Sequence, residues 1–348
     1  MPRTVVGLDI GRTAVRAVEL RRGRRPVVRR HGRVPLPVGA VEAGLVVDPA
    51  AVTAALRQLW REQRIASRSV RLGVGSGSVL VRPLELDWMP PADLRRALRY
   101  QVADVLPVAV DDANLDHVLL GEDEQVDPTT GAVRRVVRIL LVATARGAVD
   151  EMVRCVQAAG LRPVAADLAP LALVRAAVAA QDAPTGPEHA STQAVVDIGA
   201  DTVSVAVHTG GVPHFVRVSP GVGGDALTRA LAEETGLDWP AAELRKRGGP
   251  EQEGTSAAPD PVLDQATQRL LTEVRTTLDF HAATDPAHVP TSAVLSGGAG
   301  HQHGFLEQAS GVLGLPVGRL DLGAHLGLPG DDGYDLALPG GLCLGRSA

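Results

Sequence analysis

The sequence has 348 residues, of which 45% are hydrophobic and 22% are charged, and its formal net charge is -5 at pH 7. This length exceeds what one hydrophobic core usually supports, so we expect two domains, and the composition excludes a globally disordered chain. The negative net charge argues against nucleic acid as a partner, because binding to phosphate backbones depends on an excess of Lys and Arg.

Targeting and metal-binding signals are missing from the sequence. The chain enters a strand pattern at once, without an apolar signal region, and no apolar stretch approaches the ~20 residues of a membrane span. We therefore predict a cytoplasmic protein. Cys155 and Cys343 lie far apart and the ten histidines show no metal-ligand spacing, so we predict neither a disulfide framework nor a zinc site.

Strands and helices alternate through the first half of the chain, which predicts an α/β domain I over residues 1–181. Apolar periodicity predicts, in chain order, a hairpin over 5–20, a helix over 49–66, a strand over 69–74, a strand over 136–145, a helix over 148–160, and a further strand and helix over 161–180.

The pattern changes between about residues 84 and 140. A helix begins after Pro90 and Pro91 and is predicted to continue to Pro107, and a segment of mixed polarity follows. This predicts a small subdomain inserted into domain I.

The second half of the chain begins like the first. After a polar segment over 182–191, which predicts a linker, the run 194–199 (AVVDIG) repeats the run 6–11 (VGLDIG). Such an internal repeat predicts two related domains that face each other across a cleft, the second over 192–334. A polar segment over 248–260 within it predicts a mobile loop.

Both repeats deliver an aspartate and then a glycine at the end of a buried strand. This places a carboxylate at the edge of a cleft, beside backbone N–H groups that can cradle phosphate. Two facing turns would hold a polyphosphate, with Asp9 and Asp197 binding Mg²⁺ through its water molecules. A third turn, over residues 296–300 (SGGAG), has almost no side chains, so a flat base could approach its backbone.

These motifs carry a family resemblance. In order and spacing, LDIGRTAVRAVEL, VVDIGADTVSVAV and VLSGGAG resemble the two phosphate motifs and the adenosine motif of the actin, sugar-kinase and DnaK-chaperone superfamily. Within it, segments 84–108, 140–173 and 215–248 resemble the PilM family of type IV pilus assembly proteins. The resemblance covers nearly the whole chain. It implies two actin-like α/β domains with ribonuclease H-like cores, and a C-terminal helix over about 335–348 that joins domain I.

The resemblance implies ATP and Mg²⁺ as cofactors. The residues implied to contact the phosphates are Gly11, Arg12 and Thr13 in domain I and Gly199, Ala200, Asp201 and Thr202 in domain II. The residues implied around the ribose and the base are Gly223, Gly224, Glu243, Lys246, Gly297, Gly298 and Ala299. For Glu243 and Lys246, the alternative is an ordinary exposed ion pair on a helix.

Arg16 occupies the cation position of the family, where many relatives have Lys. Arginine keeps the charge and adds donors, so ATP binding should survive this departure. Asp167 stands where relatives often have a polar group that orients the attacking water, and the alternative is a simple aspartate at a strand end. With Asp9 and Asp197 it forms the implied catalytic set, although the resemblance leaves open whether ATP is hydrolysed.

The resemblance also implies a partner. A PilM-like scaffold would bind the cytoplasmic N-terminal peptide of a PilN-like inner-membrane protein, which would hold the chain at the inner face of the membrane. Leu94, Leu98 and Val102, on one face of the inserted helix, are the candidate peptide-binding residues. Other pilus assembly proteins are implied as partners, and self-association stays open. The alternatives are a small-molecule kinase of the same superfamily and an FtsA-like filament-forming protein.

Overall fold

The computed structural model describes residues 4–23, 26–126, 133–181, 191–248, 260–328 and 331–345. Most of the predicted linker at 182–191 and of the predicted mobile loop at 248–260 lies outside the described residues, as do the last three residues of the helix predicted over 335–348.

Domain I contains ten strands and four α-helices among the described residues. The strands are β1 (Thr4–Ile10), β2 (Ala14–Arg21), β3 (Val27–Pro35), β4 (Val41–Glu42), β5 (Leu45–Val46), β6 (Ser69–Val74), β7 (Leu80–Asp87), β8 (Ala113–Val126), β9 (Val133–Ala145) and β10 (Arg162–Leu168). The helices are α1 (Pro49–Gln63), α2 (Pro91–Gln101), α3 (Arg146–Ala158) and α4 (Ala169–Ala180).

Domain II contributes five strands and six α-helices to the described part of the chain, and a last helix follows. The strands are β11 (Thr192–Ile198), β12 (Thr202–Thr209), β13 (Val212–Pro220), β14 (Ser292–Ser296) and β15 (Val317–Arg319). The helices are α5 (Gly224–Thr235), α6 (Trp239–Lys246), α7 (Pro261–Thr284), α8 (Phe305–Leu313), α9 (Gly323–Leu326), α10 (Asp332–Asp335) and the last helix α11 (Ala337–Leu344).

The two domains are built on sheets of identical topology. The strand orders are β3-β2-β1-β6-β10 and β13-β12-β11-β14-β15. In each sheet an antiparallel meander of three strands is extended by two parallel strands. Apolar side chains of the central strands pack against helices, mainly α1 and α3 in domain I and α5, α7 and α8 in domain II. The predicted duplicated α/β architecture is confirmed.

A third sheet forms the inserted subdomain. Its order is β7-β9-β8, and its strands and α2 enclose a separate apolar core. Helix α2 ends at Gln101, earlier than Pro107, because Val102 leaves the helical conformation with φ -112° and ψ 4°. Val102 is fully buried in the subdomain core, and the chain continues as a 3-10 turn over Ala103–Val105 before Leu106 becomes extended ahead of Pro107.

Helix α11 packs against the core of domain I after the chain has left domain II. Its contacts with β1 and α4 are close because glycines remove the side chains. A Cβ atom on Gly7 would lie 2.0 Å from the Pro339 carbonyl oxygen, and one on Gly341 would lie 2.1 Å from the Ala172 carbonyl oxygen. The first and the last of the described residues therefore both belong to domain I, and domain II lies between them in the sequence.

Helix α7 is the longest helix described, with 24 residues, and alternates buried apolar with exposed charged positions. Among the described residues, the helices lack the combination of length and apolar character that crossing a membrane requires.

Replacing Gly341 by Ala should destabilise domain I by about 1–3 kcal/mol, because the new methyl group meets backbone that cannot move aside. Gly311 in α8 is the matched control, since a Cβ there meets nothing within 4 Å. Gly311→Ala should leave stability unchanged or raise it by up to about 1 kcal/mol through helix propensity. Urea denaturation of both variants measures the difference, and equal midpoints would show that the α11 contact is not close.

Candidate functional site

A cleft of about 360 Å³ lies between the two domains, at the ends of their central strands. The structure brings most of the predicted residues together along its walls. Those that line it are Asp9, Gly11, Arg12, Thr13, Arg16, Asp197, Gly199, Ala200, Asp201, Thr202, Gly224, Glu243, Lys246, Gly297, Gly298 and Ala299.

On the domain I side, a row of charged residues crosses three strands. Asp9 at the end of β1 pairs in register with Arg16 on β2, and Arg16 pairs with Arg33 on β3. Paired residues of neighbouring strands point to the same face of a sheet. The Asp9 Oδ2 atom lies 3.1 Å from Arg16 Nη1. Burial raises the pKa of Asp9, and the attraction and hydrogen bond of Arg16 oppose that rise.

The equivalent row in domain II has no cation. Asp197 pairs with Ser204 on β12, and Ser204 pairs with Val218 on β13. The pKa of Asp197 is raised to about 6, chiefly by burial and also by the charge of Asp9, while a hydrogen bond from Ser296 and the charge of Arg16 act against the rise. Asp197 is thus a half-buried carboxylate that forms no ion pair with the described residues, and the negative charge of Asp9 in the other domain is close enough to affect it.

Two glycines fix the turns of domain II against the end of β11. Gly223 has a φ of 158°, and a Cβ there would lie 2.6 Å from the Ala200 carbonyl oxygen. Gly297 has a φ of 88°, and a Cβ there would lie 2.2 Å from the Ile198 carbonyl oxygen. Both positions require glycine on backbone conformation and on space. Gly223 is therefore a packing residue beneath the cleft, whereas its neighbour Gly224 lines it.

Arg12 crosses the cleft and holds the two domains together. Its Nε atom donates to Asp225 Oδ2 at 2.5 Å, and its Nη1 atom lies 3.5 Å from Asp201 Oδ2. The N–H of Ala43 in domain I also donates to Asp201 Oδ2, at 2.5 Å. The guanidinium predicted to contact phosphate is thus paired with carboxylates of domain II in this structure.

Glu243 and Lys246 form a network on α6 rather than an isolated surface pair. Lys246 Nζ lies 2.6 Å from Glu243 Oε2 and donates to the Gly224 carbonyl oxygen at 3.0 Å. Thr228 donates to Glu243 Oε2 at 2.7 Å. Burial pushes the pKa of Glu243 up, but hydrogen bonds, chiefly from Lys246 and Thr228, outweigh burial and leave it below its usual value. The pair is tied to the turn beside the cleft.

Asp167 is not placed where the resemblance implied. Its carboxylate is paired with Arg175 of α4, next to Gly345, and it is not among the residues that line the cleft. Asp9 reaches the cleft from a central strand, whereas Asp167 lies on the edge strand β10 and is engaged by the helix that follows it. The structure therefore does not bring Asp167 to the cleft, and its water-orienting role stays a prediction.

Leu94, Leu98 and Val102 are core residues of the inserted subdomain. Their exposed fractions are 3%, 3% and 0%, and they pack on Ile139, Leu141 and neighbouring apolar residues. The amphipathic face of α2 covers its own sheet, so it offers no surface to a peptide. The predicted partner-binding role of these three residues is corrected accordingly.

Several residues that line or support the cleft were not predicted by the sequence analysis. Asp225 directly follows the Gly223-Gly224 turn, and Arg33 follows from the pairing of β2 with β3, so both carried a readable signal. For Tyr334 the sequence contained no such signal. Its buried hydroxyl donates to the Gly297 carbonyl oxygen and accepts from the Gly300 N–H at 3.1 Å, which anchors the third turn from near the chain's end.

The carboxylates of the cleft fit a magnesium ion chemically. Mg²⁺ prefers oxygen ligands and keeps several of its waters, which suits two carboxylates facing each other across a cleft. The raised pKa of Asp197 shows that its negative charge is incompletely compensated by the protein. A cation between Asp9 and Asp197 would supply that compensation.

Comparison with known proteins identifies the family and the fold of the chain. The family model for type IV pilus assembly protein PilM matches residues 7–328. A solved PilM-PilN type IV pilus biogenesis complex contains a chain that is 25% identical, with a TM-score of 0.82 and coverage of 99% of this chain and 98% of that chain. Cell division protein FtsA of Neisseria meningitidis is 26% identical over 60% of this chain, and the match spans 52% of that protein. FtsA of Pseudomonas aeruginosa is 24% identical over 90% of this chain and 82% of its own length.

These matches confirm two predictions made from the sequence. The resemblance to the PilM family holds over nearly the whole chain. The actin-like two-domain fold is also confirmed, by the similarity to the PilM-PilN structure.

Asp197→Asn should stabilise the protein at pH above about 6. The pKa of Asp197 rises from 3.8 to about 6 on folding, so its favourable contribution is complete below about pH 3.8 and is lost as the pH passes 6. The variant lacks this titration and should gain about 3 kcal/mol over the wild type near pH 7.5, and only about 1 kcal/mol near pH 4.5. Asp279→Asn, on the exposed face of α7, is the control and should show no such pH-dependent gain. Denaturant midpoints at the two pH values measure both, and a pH-independent difference for Asp197→Asn would contradict the assignment.

Proposed function

The chain belongs to the type IV pilus assembly protein PilM family, and from this we propose that it is an ATP-binding scaffold of a pilus assembly machine. The observation that carries the proposal is the cleft, in which two matching Asp-Ile-Gly turns and the glycine turn after β14 line one cavity. Within this family, that arrangement supports a nucleotide held between the two domains.

The cleft offers distinct places to the parts of ATP. The phosphates would lie between the turns at 11–13 and 199–202, facing Arg16 from domain I. The base would lie against the Gly297–Ala299 backbone, and Glu243 and Lys246 would flank the nucleoside. Asp9 and Asp197 would hold Mg²⁺ through water, and the ion would screen the phosphate charge.

ATP entry would change the partner of Arg12. Phosphate oxygens are strong acceptors for a guanidinium and would compete with Asp225 and Asp201 for it. The contact between the domains would then pass through the nucleotide instead of through a direct ion pair. In this proposal ATP binding exchanges the direct ion pairs between the two domains for contacts with the phosphates.

Binding is better supported than fast hydrolysis. Asp167, the residue expected to orient a water molecule, is paired with Arg175 outside the cleft. Asp9 and Asp197 serve the metal rather than a proton transfer in this proposal. We therefore propose slow turnover at most. The family match favours a scaffold over the small-molecule kinase and the FtsA-like filament, the alternatives that the sequence left open.

The proposed partner is the cytoplasmic N-terminal peptide of a PilN-like inner-membrane protein. The similar structure was determined as a PilM-PilN complex, which supports a partner of this kind. Such a peptide would hold the chain at the inner face of the membrane. Other pilus assembly proteins, and a second copy of this chain, are further proposed contacts.

The peptide site needs an accessible apolar surface, which the core face of α2 does not provide. A cavity of about 240 Å³ lies where the inserted subdomain meets the rest of domain I, lined by residues 77–80, 106–108, 113 and 143–145. Val108 lines it and is 46% exposed. We assign the peptide to this cavity, because an apolar anchor there would exclude water without disturbing the nucleotide cleft.

Arg16→Ala should weaken ATP binding by about tenfold or more, because it removes the cation beside the phosphates. Arg16→Lys should recover most of the affinity, and Arg269→Ala, on the exposed face of α7, should have no effect. Thermal unfolding with and without Mg-ATP measures this, since a ligand at about 100 times its Kd adds about 2.7 kcal/mol of stability. A wild-type protein that is folded, nucleotide-free and unaffected by millimolar ATP would refute the nucleotide site.

Val108→Asp should abolish binding of a synthetic PilN-type N-terminal peptide and leave ATP binding intact, because a carboxylate in an apolar cavity costs several kcal/mol of desolvation. Val164→Asp is the matched control, since Val164 is 50% exposed on the edge strand β10. Calorimetric titration of peptide and ATP on the same preparations separates the two sites. Equal peptide affinities for both variants would move the peptide site elsewhere.

A further inference from the structure

We propose that domain II binds a divalent transition-metal ion, with zinc as the representative, through His214, Asp285 and His288. One potential ligand atom from each of these residues lies within 4.8 Å of the other two. Imidazole and carboxylate together are a donor set that zinc and similar ions prefer, whereas magnesium prefers oxygen donors alone. The site is separate from the nucleotide cleft and does not depend on the proposed function.

Three different elements deliver the ligands. His214 lies near the start of β13, Asp285 directly follows α7, and His288 ends a short 3-10 helix over Pro286–His288. The backbone N–H of Asp285 donates to the His281 carbonyl oxygen at 2.8 Å, and that of His288 donates to the Asp285 carbonyl oxygen at 3.2 Å. The hairpin and the end of the long helix thus hold the ligands together, although His214 is far from the other two in sequence.

Polar contacts already orient both rings. His288 Nδ1 lies 2.8 Å from Asp285 Oδ2, so a metal ion that binds both atoms would replace the proton that they share. His214 Nε2 lies 3.1 Å from the hydroxyl of Thr209. A metal-binding histidine in a protein is oriented by such a contact of its second ring nitrogen, here with the hydroxyl of Thr209.

The two imidazole rings are stacked, with centroids 3.6 Å apart and planes inclined by 13°. Parallel rings direct their in-plane lone pairs side by side, so binding requires one ring to turn about its Cβ–Cγ bond. The ligand atoms would then approach to about 3.3 Å, the spacing set by the bond lengths of a tetrahedral zinc site. Water would complete the coordination.

Further histidines surround these three residues. His208 and His281 are close enough to interact electrostatically with His214, and both are 1% exposed. His281 Nε2 contacts the His288 carbonyl oxygen at 2.9 Å. His208 Nδ1 accepts from the Gly211 N–H, which leaves its buried Nε2 without a hydrogen-bond partner among the described residues. A concentration of buried imidazoles beside a carboxylate favours a borderline metal over a purely structural ring stack.

The test is a calorimetric titration of the full-length protein, without a histidine tag, with zinc after removal of metal by a chelator. We expect one ion to bind per chain. His288→Ala and, independently, His214→Ala should each weaken binding about tenfold or more, as loss of a ligand demands. His325→Ala removes an exposed histidine of α9 and is the matched control, with unchanged binding expected.

Visible absorption with cobalt in place of zinc reports the ligand set independently of stability. We expect tetrahedral cobalt bands for the wild type and their loss in both cluster variants, with thermal unfolding in the chelator showing that the variants are folded. If His288→Ala does not fold, the zinc titration and cobalt spectrum of His214→Ala test the proposal in its place. The proposal is overturned if the wild type fails to bind zinc at micromolar concentration, or if the folded cluster variants bind it as well as the wild type does, which would place the ion on other residues.

Discussion

Electrostatic balance across the cleft is the constraint on which the rest of the structure depends. Asp9 and Asp197 end matching strands, and both carboxylates are half-buried in the wall of the cleft. Asp9 has Arg16 at 3.1 Å, whereas the equivalent position in domain II is Ser204. The repeat is therefore symmetric in backbone and asymmetric in charge. Domain I supplies Arg16 and Arg33, the cations beside Asp9 on neighbouring strands. Domain II supplies glycine-rich backbone against which a nucleotide would fit.

Charged groups of the cleft also hold the two domains against each other. Arg12 leaves the first turn of domain I and binds Asp225, the residue that follows the Gly223-Gly224 turn of domain II. A direct ion pair of this kind closes the cleft with protein groups alone, while helix α11 independently attaches the chain's end to domain I. A ligand that competes for Arg12 would change how the domains meet without having to unfold either one. In the proposed function, such a change would couple nucleotide binding to the binding of a partner on domain I.

The repeat of Asp-Ile-Gly was readable because it is local, and it predicted the duplicated sheets and the facing carboxylates, whereas the family resemblance implied most other residues of the cleft. What the sequence could not show depends on long-range packing. The face of α2 has the same apolar spacing whether it covers its own sheet or a peptide, and only the burial of Leu98 distinguishes the two. The sequence shows Asp167 only as a carboxylate at the end of a strand, and its pairing with Arg175 is known only from the structure. The histidine cluster draws on separated segments, so no spacing along the chain could reveal it.

The central claim is that the cleft binds Mg-ATP and that phosphate displaces the carboxylates from Arg12. A crystal structure of the protein with Mg²⁺ and a non-hydrolysable ATP analogue tests it most directly. The account predicts phosphates between the turns at 11–13 and 199–202, a metal ion near Asp9 and Asp197, and Arg12 turned from Asp225 toward phosphate. A nucleotide bound elsewhere, or an Arg12–Asp225 pair that persists beside bound phosphates, would contradict it.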